Sequence, residues 1–271
     1  MLVDHTCFLK DCIMRSRLTV LGSCGAWPEA GRACSGYLLD HEGFRVVLDL
    51  GYGTLPRLLS LLGSSAADGL DAVIVTHKHA DHMIDLHGLF RARKFGDRKA
   101  PPIPLYAPAG VLEHVESLEE GDITAVREVF DWHSLPADEY DVGPFQLESV
   151  GLPHFVPNAG VRLSSPNLTV AYTGDTGPDP ALAELGRDAD LYIVEATDRD
   201  QRAETPPGPA GQRLHLTGRD AGDTAAAARA RRLLLTHFWP DNDRDKTRSA
   251  AAAVFDGEII LADEGLEISW G

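Results

Sequence analysis

The sequence predicts a layered α/β fold built on two sheets, and three observations carry that expectation. Short β-rich runs bounded by Gly, Pro or Asp recur along the chain: "RLTVLG", "SGYLLD", "FRVVLDLG", "DAVIVTH", "FQLESV", "LTVAYTGD", "DLYIVEA", "RRLLLTH" and "GEIILA". Helical segments separate several of them, namely "TLPRLLSLLG", "DLHGLFRARKFG", "PALAELG", "TGRDAGDTAAAARA" and "DKTRSAAAAVF". Strands lie close together in the first half and alternate with helices in the second, a pattern that stacks sheets and helices in layers. Thr217 followed by Asp220 has the form of a capping box opening the Ala-rich helix.

At 271 residues and 44% hydrophobic, the chain can bury a core large enough for one domain, expected over residues 14–271. Residues 1–13 read as a dispensable extension, because the first strand begins directly after Met14. Asp4, Lys10 and Asp11 break any apolar run there, and nothing later approaches the ~20 apolar residues of a membrane span. The four cysteines, Cys7, Cys12, Cys24 and Cys34, form no Cys-x-x-Cys pair and read as free thiols of a reducing cytoplasm. With 25 Lys and Arg against 41 Asp and Glu, the formal charge of -16 repels nucleic acid and anionic membranes. One stretch, Asp198 to Arg213 with Pro206, Pro207 and Pro209, reads as a solvated loop, with an active-site cover as the functional alternative.

The chemistry is concentrated at strand ends. In "VIVTHKHADHMIDL" an apolar run is followed at once by His77, His79, Asp81, His82 and Asp85. Residues i and i+2 of an extended segment point the same way, so His77 and His79 can place two imidazoles on one metal ion. A turn at Ala80 sends Asp81 and His82 toward a second ion a few ångströms away. A surface loop explains one isolated His; four candidate ligands in six positions favour a metal centre, with Asp85 a supporting residue and His87 a packing one. His5, His41, His114 and His133 sit in polar contexts and read as surface. The same context recurs in "LPHFVP", "AYTGDTG" and "LLLTHFWP", which supply His154, Asp175 and His237. His154 completes the first set of imidazoles, His237 joins Asp81 and His82, and Asp175 can bridge. Two zinc ions, two aspartates and one hydroxide then sum to a single positive charge, which suits a singly charged anionic substrate.

These motifs, in this order from about Leu18 onward, resemble the metallo-β-lactamase superfamily. The resemblance implies an αββα four-layer sandwich of two mixed sheets flanked by helices, two Zn²⁺ ions in the cleft between sheet edges, and a supporting role for Asp49. Manganese or iron also suits such ligands. "VEATD" and "HLTGRDAG" are similar to the Glu-Ala-Thr and His-Ser-Thr motifs of the ribonuclease Z and small phosphodiesterase branch. That likeness implies that His215 donates to the phosphoryl oxygen or leaving group and that Glu195 orients it; Leu216 departs from the middle Ser.

The expected activity is therefore hydrolysis of a small anionic phosphodiester, a cyclic nucleotide being one candidate, by a hydroxide generated at the two metals. Asp81 is expected to hold the proton of that nucleophile. Two hydrolytic alternatives use the same centre: a lactone or thioester hydrolase, which has less need of His215, and a tRNA 3′-end endonuclease. The charge and the short interval from Phe155 to Gly174, where ribonuclease Z carries a long basic arm, speak against the second. A non-catalytic binding protein would not keep seven such ligands. A homodimer is suggested by the family alone.

Overall fold

A computed structural model describes residues 16–96, 101–120, 124–137, 139–199, 207–208 and 211–270. The first half runs β1 (Ser16–Gly22), β2 (Gly36–His41), β3 (Phe44–Leu48), α1 (Leu55–Leu62), β4 (Ala72–Ile74), α2 (Ala80–Met83), α3 (Asp85–Phe95), β5 (Ile103–Pro108), α4 (Val111–Ser117), α5 (Thr124–Val129) and β6 (Phe130–Leu135). It continues with β7 (Tyr140–Val142), β8 (Phe145–Leu152), β9 (Asn158–Ser164), β10 (Thr169–Tyr172), α6 (Ala181–Leu185), β11 (Leu191–Glu195), α7 (Gly218–Ala228), β12 (Arg232–Thr236), α8 (Arg244–Ala252), β13 (Glu258–Leu261) and β14 (Glu267–Trp270).

Two seven-stranded sheets result, ordered β14-β1-β2-β3-β4-β5-β6 and β13-β12-β11-β10-β9-β8-β7. Both are mixed. β14, β1, β2 and β3 pair antiparallel and β3 to β6 parallel; β7 to β10 pair antiparallel and β10 to β13 parallel. Side-chain alternation sorts the core into three layers. Along β4, Ala72 and Ile74 face the other sheet while Val73 packs under the helices. Along β11, Leu191 and Ile193 face inward while Tyr192 and Val194 meet α6 and α7. Strands apolar on both faces are what a sheet covered on both sides requires, and the arrangement is the expected αββα sandwich. Each fully buried Leu, Ile or Val side chain contributes roughly 1.5–3 kcal/mol, so the middle of the molecule is a rigid support for its edges.

β8 and β10 both run antiparallel to β9, so β8, β10, β11 and β12 share a direction. Their carboxyl ends lead into His154, Asp175, Glu195 and His237, while β3 and β4 in the other sheet lead into Asp49 and His77.

Thr217 caps α7 as expected, its hydroxyl accepting from the Asp220 amide while the Asp220 carboxylate accepts from the Thr217 amide. Cys24 and Cys34 are free and buried. Two expectations are corrected. His41 is not a surface residue: it is buried, 2.6 Å from the Ser16 hydroxyl and packed against Phe145. Asp85 does not support the strand-end cluster; it accepts from the Leu55 amide at 2.8 Å and so caps α1. The expected extension at 1–13 lies outside the described residues, as does part of the loop at 198–213. Among the described residues no helix is long and apolar enough to cross a membrane.

Candidate metal centre and active site

Val75 and Thr76 carry β4 into His77, the chain bends at Lys78 and His79 instead of running on extended, and α2 then starts at Ala80 with His79 as its N-cap in an extended backbone conformation. That bend places His77 Nε2 3.1 Å from His79 Nδ1, and His154 Nε2, arriving from β8, lies 3.0 Å from the same nitrogen. The first turn of α2 turns Asp81 and His82 the other way. His82 Nε2 and His237 Nε2 lie 3.6 and 3.2 Å from Asp81 Oδ2. Asp175 stands between the two groups. Its Oδ2 faces His77 and His154 at 3.9 and 3.7 Å, and its Oδ1 faces His82 and His237 at 3.1 and 3.3 Å. All seven expected ligands thus fall into two sets sharing one carboxylate, each set with its donor atoms within 4.8 Å of one another.

The donor sets fit two divalent cations. His82 Nε2 and Asp175 Oδ1 are buried 3.1 Å apart and make no hydrogen bond, and buried polar atoms without a partner mark a place that a cation can fill. Burial pushes the imidazoles of His77, His79 and His154 below their ordinary range, His154 to about 4, which keeps them neutral as metal ligation requires. Burial also opposes charge on His82, but Asp175, Asp81 and Asp49 prevail and hold it well above its ordinary value. The anionic second set calls for positive charge in its midst.

Around the two sets stands a layer of hydrogen-bonding partners. Asp49, just beyond β3, accepts from His82 Nδ1 at 2.7 Å and from the Thr76 amide, the Thr76 hydroxyl and the Tyr172 hydroxyl. The Leu214 carbonyl faces His154 Nδ1 at 3.3 Å. The Ala26 amide donates to Asp81 Oδ2 at 2.7 Å. Of these only Asp49 was expected from sequence; Thr76, Tyr172 and Ala26 carry no motif that would mark them.

Glu195 and His215 lie beside the second set. His215 Nδ1 donates to Glu195 Oε1 at 2.9 Å, and its ring lies 5.1 Å from that of His154 and stacks 5.9 Å from that of His237. Glu195 is wholly buried and also accepts from the amides of Thr176 and Leu216 at 2.6 and 3.2 Å. Leu216 sends its side chain into the core under α7 while its amide serves Glu195, so the departure from Ser leaves the pair intact. Burial alone would lower the His215 pKa, but the charge and hydrogen bond of Glu195 overcome it and raise it to about 9.

A family model described as "Beta-lactamase superfamily domain" matches residues 45–238, from β3 to just past His237. The chain belongs to the metallo-β-lactamase superfamily. Among its relatives in this superfamily, the uncharacterized protein Rv1339 of Mycobacterium tuberculosis is 32% identical over 98% of this chain and 97% of its own length. Ribonuclease Z of Haloferax volcanii is 29% identical over 94% of this chain and 95% of its own. The crystal structure of the metallo-β-lactamase fold protein YhfI from Bacillus subtilis superimposes with a TM-score of 0.80 at 28% identity, covering 95% of this chain and all of that one. Membership of this superfamily of metallo-hydrolases accords with divalent metal binding at the His and Asp clusters.

Proposed function

We propose that the protein is a dinuclear zinc phosphodiesterase acting on a small, singly anionic ester, a cyclic nucleotide being one such compound. The observation that carries this reading is the buried Glu195–His215 pair beside the ligand array, because attack on a carbonyl has less need of a cationic donor at that place. His77, His79, His154 and Asp175 are proposed to hold one ion, and Asp81, His82, His237 and the shared Asp175 the other. Imidazole-rich sets of this kind suit zinc. Two ions bound there would supply a water whose pKa is lowered to about 7 and would offset the charge of the phosphate.

The chain's own residues supply the rest. Asp81, anchored by the Ala26 amide, holds the nucleophile's proton in a hydrogen bond. His215, kept protonated by Glu195, donates through Nε2 to the phosphoryl oxygen or the leaving oxygen, and loss of such a donor typically costs ~10²–10³ in rate. Glu195 keeps the ring in place through its other hydrogen bonds. Small size is favoured by the interval from Phe155 to Gly174. It is spent on β9, a turn closed by the Ser165 amide on the Leu168 carbonyl at 2.8 Å, and β10, which leaves no length for a nucleic-acid arm. The charge of -16 also favours a small substrate over a polyanion.

The test is turnover by zinc-loaded protein of bis(p-nitrophenyl) phosphate and cyclic nucleotides, beside a panel of lactones and thioesters and a tRNA precursor. Phosphodiester turnover that is lost with chelation is expected. Turnover confined to lactones or thioesters would replace this reading with a carbonyl hydrolase, and turnover confined to the tRNA with an endonuclease.

A further inference from the structure

We infer that Thr197 is a positioning residue that joins the proton donor to the metal centre by fixing which nitrogen of His237 faces the metals. The inference rests on the reading that His237 is a ligand of the second ion, and it adds a residue to which that reading gives no role. Hydrogen-bond bookkeeping carries it. The Thr197 hydroxyl is fully buried, 2.5 Å from Glu195 Oε2 and 2.7 Å from His237 Nδ1. An ionised carboxylate only accepts, so the single hydroxyl proton goes to Glu195. The more distant His237 carbonyl, at 3.3 Å from the hydroxyl, cannot share it on equal terms.

With that proton committed, the hydroxyl faces His237 with lone pairs alone. His237 must then carry its proton on Nδ1, which leaves the lone pair on Nε2, 3.2 Å from Asp81 Oδ2 and 3.3 Å from Asp175 Oδ1. That is the tautomer a metal ligand needs. Glu195 thereby serves two arms at once: Oε1 holds His215, and Oε2, through Thr197, holds His237. The backbone assists, since the Thr197 amide also donates to Glu195 Oε2 at 3.3 Å.

The other sheet repeats the device. The Thr76 hydroxyl donates to Asp49 Oδ2 at 2.9 Å and lies 3.1 Å from His77 Nδ1. The same bookkeeping sets His77 Nε2 toward the first group. Each of the two sets therefore contains one histidine governed by a carboxylate through a threonine.

The experiment is zinc titration against a competing chelator on wild type, Thr197→Val and Thr197→Ser. Val removes the hydroxyl and nearly keeps the shape, while Ser keeps the hydroxyl. The expected result is two equivalents in wild type, with one of the two weakened about 10–100-fold in the Val variant and restored in the Ser variant. Unchanged affinity for both equivalents in the Val variant would overturn the inference and leave the two-ion reading standing. Equal loss in the Val and Ser variants would also overturn it, because the methyl rather than the hydroxyl would then matter. No zinc bound by wild type would overturn both. Should the Val variant not fold, the wild-type zinc protein decides by NMR: a slowly exchanging His237 Nδ1–H proton is expected, and its absence overturns the inference.

Discussion

Asp49 accepts four hydrogen bonds at 2.7 to 2.9 Å, from the Thr76 amide and hydroxyl, His82 Nδ1 and the Tyr172 hydroxyl. Each buried donor left unpaired costs roughly 1–3 kcal/mol. Asp49→Asn keeps one acceptor and turns the other oxygen into a donor, so it is expected to weaken zinc binding about 10–100-fold and to lower the melting temperature. Chelator competition and thermal unfolding read both; unchanged zinc affinity would show that His82 needs no such anchor. His215 gives the pH dependence. Its pKa is raised to about 9, so the donor is protonated through neutral pH and lost as pH rises. Bound cations favour the neutral ring, which sets the alkaline limb of kcat at or below about pH 9. In Glu195→Gln the limb should move toward lower pH, because the group that raises the value is gone; a limb that stays put would detach Glu195 from His215. The residues of the His and Asp cluster were legible in the sequence, since His77, His79, Asp81 and His82 are crowded into six positions. Thr197, Thr76, Tyr172 and Ala26 were not. A buried hydroxyl or amide looks the same in sequence whether it packs or orients, and Tyr172 reaches Asp49 only because two sheets stack.

At the scale of elements, two glycines let segments approach closely enough to build the centre. A Cβ on Gly51 would lie 1.9 Å from the Asp81 carbonyl oxygen, and one on Gly177 would lie 1.8 Å from the Arg213 carbonyl oxygen. Gly177 also donates its amide to the Pro153 carbonyl at 3.0 Å, so it clamps the segment carrying His154 to the one carrying His215. Gly177→Ala must push them apart. A cost of about 1–3 kcal/mol is expected for such overpacking, together with a fall in kcat of at least about tenfold, since misplacement by an ångström can cost far more. Wild-type kcat in a folded Gly177→Ala protein would contradict the clamp. The nine strands read from sequence are the apolar ones. β5, β6, β7, β9 and β14 were missed: Pro104 and Pro108 punctuate β5; β6, β7 and β14 are edge strands whose outward positions are polar; and β9 is broken up in sequence by Asn158, Gly160 and Arg162. Helices α2, α4 and α5 are four to seven residues long, too short to show a helical period.

For the whole molecule, the stacking of two sheets brings two aspartates and five histidines into one buried edge. Such a cluster is destabilising until a cation offsets its charge. Removing metal should therefore lower the melting temperature, and zinc at about 100 times its dissociation constant should restore about 2.7 kcal/mol, a rise of roughly 5–10 °C for a chain of this size. A melting curve indifferent to chelation and zinc would deny the centre its metals. The sandwich was legible from strand spacing and from the resemblance; the pairing of strands across sheets was not, since nothing local records which strand ends meet. The central claim, that the two-metal edge and His215 act together on a phosphodiester, is tested most directly by leaving-group dependence. Zinc-loaded wild type and His215→Ala would be assayed on phosphodiesters whose leaving groups range from p-nitrophenol to simple alcohols. The account predicts a loss of about 10²–10⁴ for alcohol leaving groups that shrinks markedly for p-nitrophenol. An equal loss across the series, or none, would contradict it.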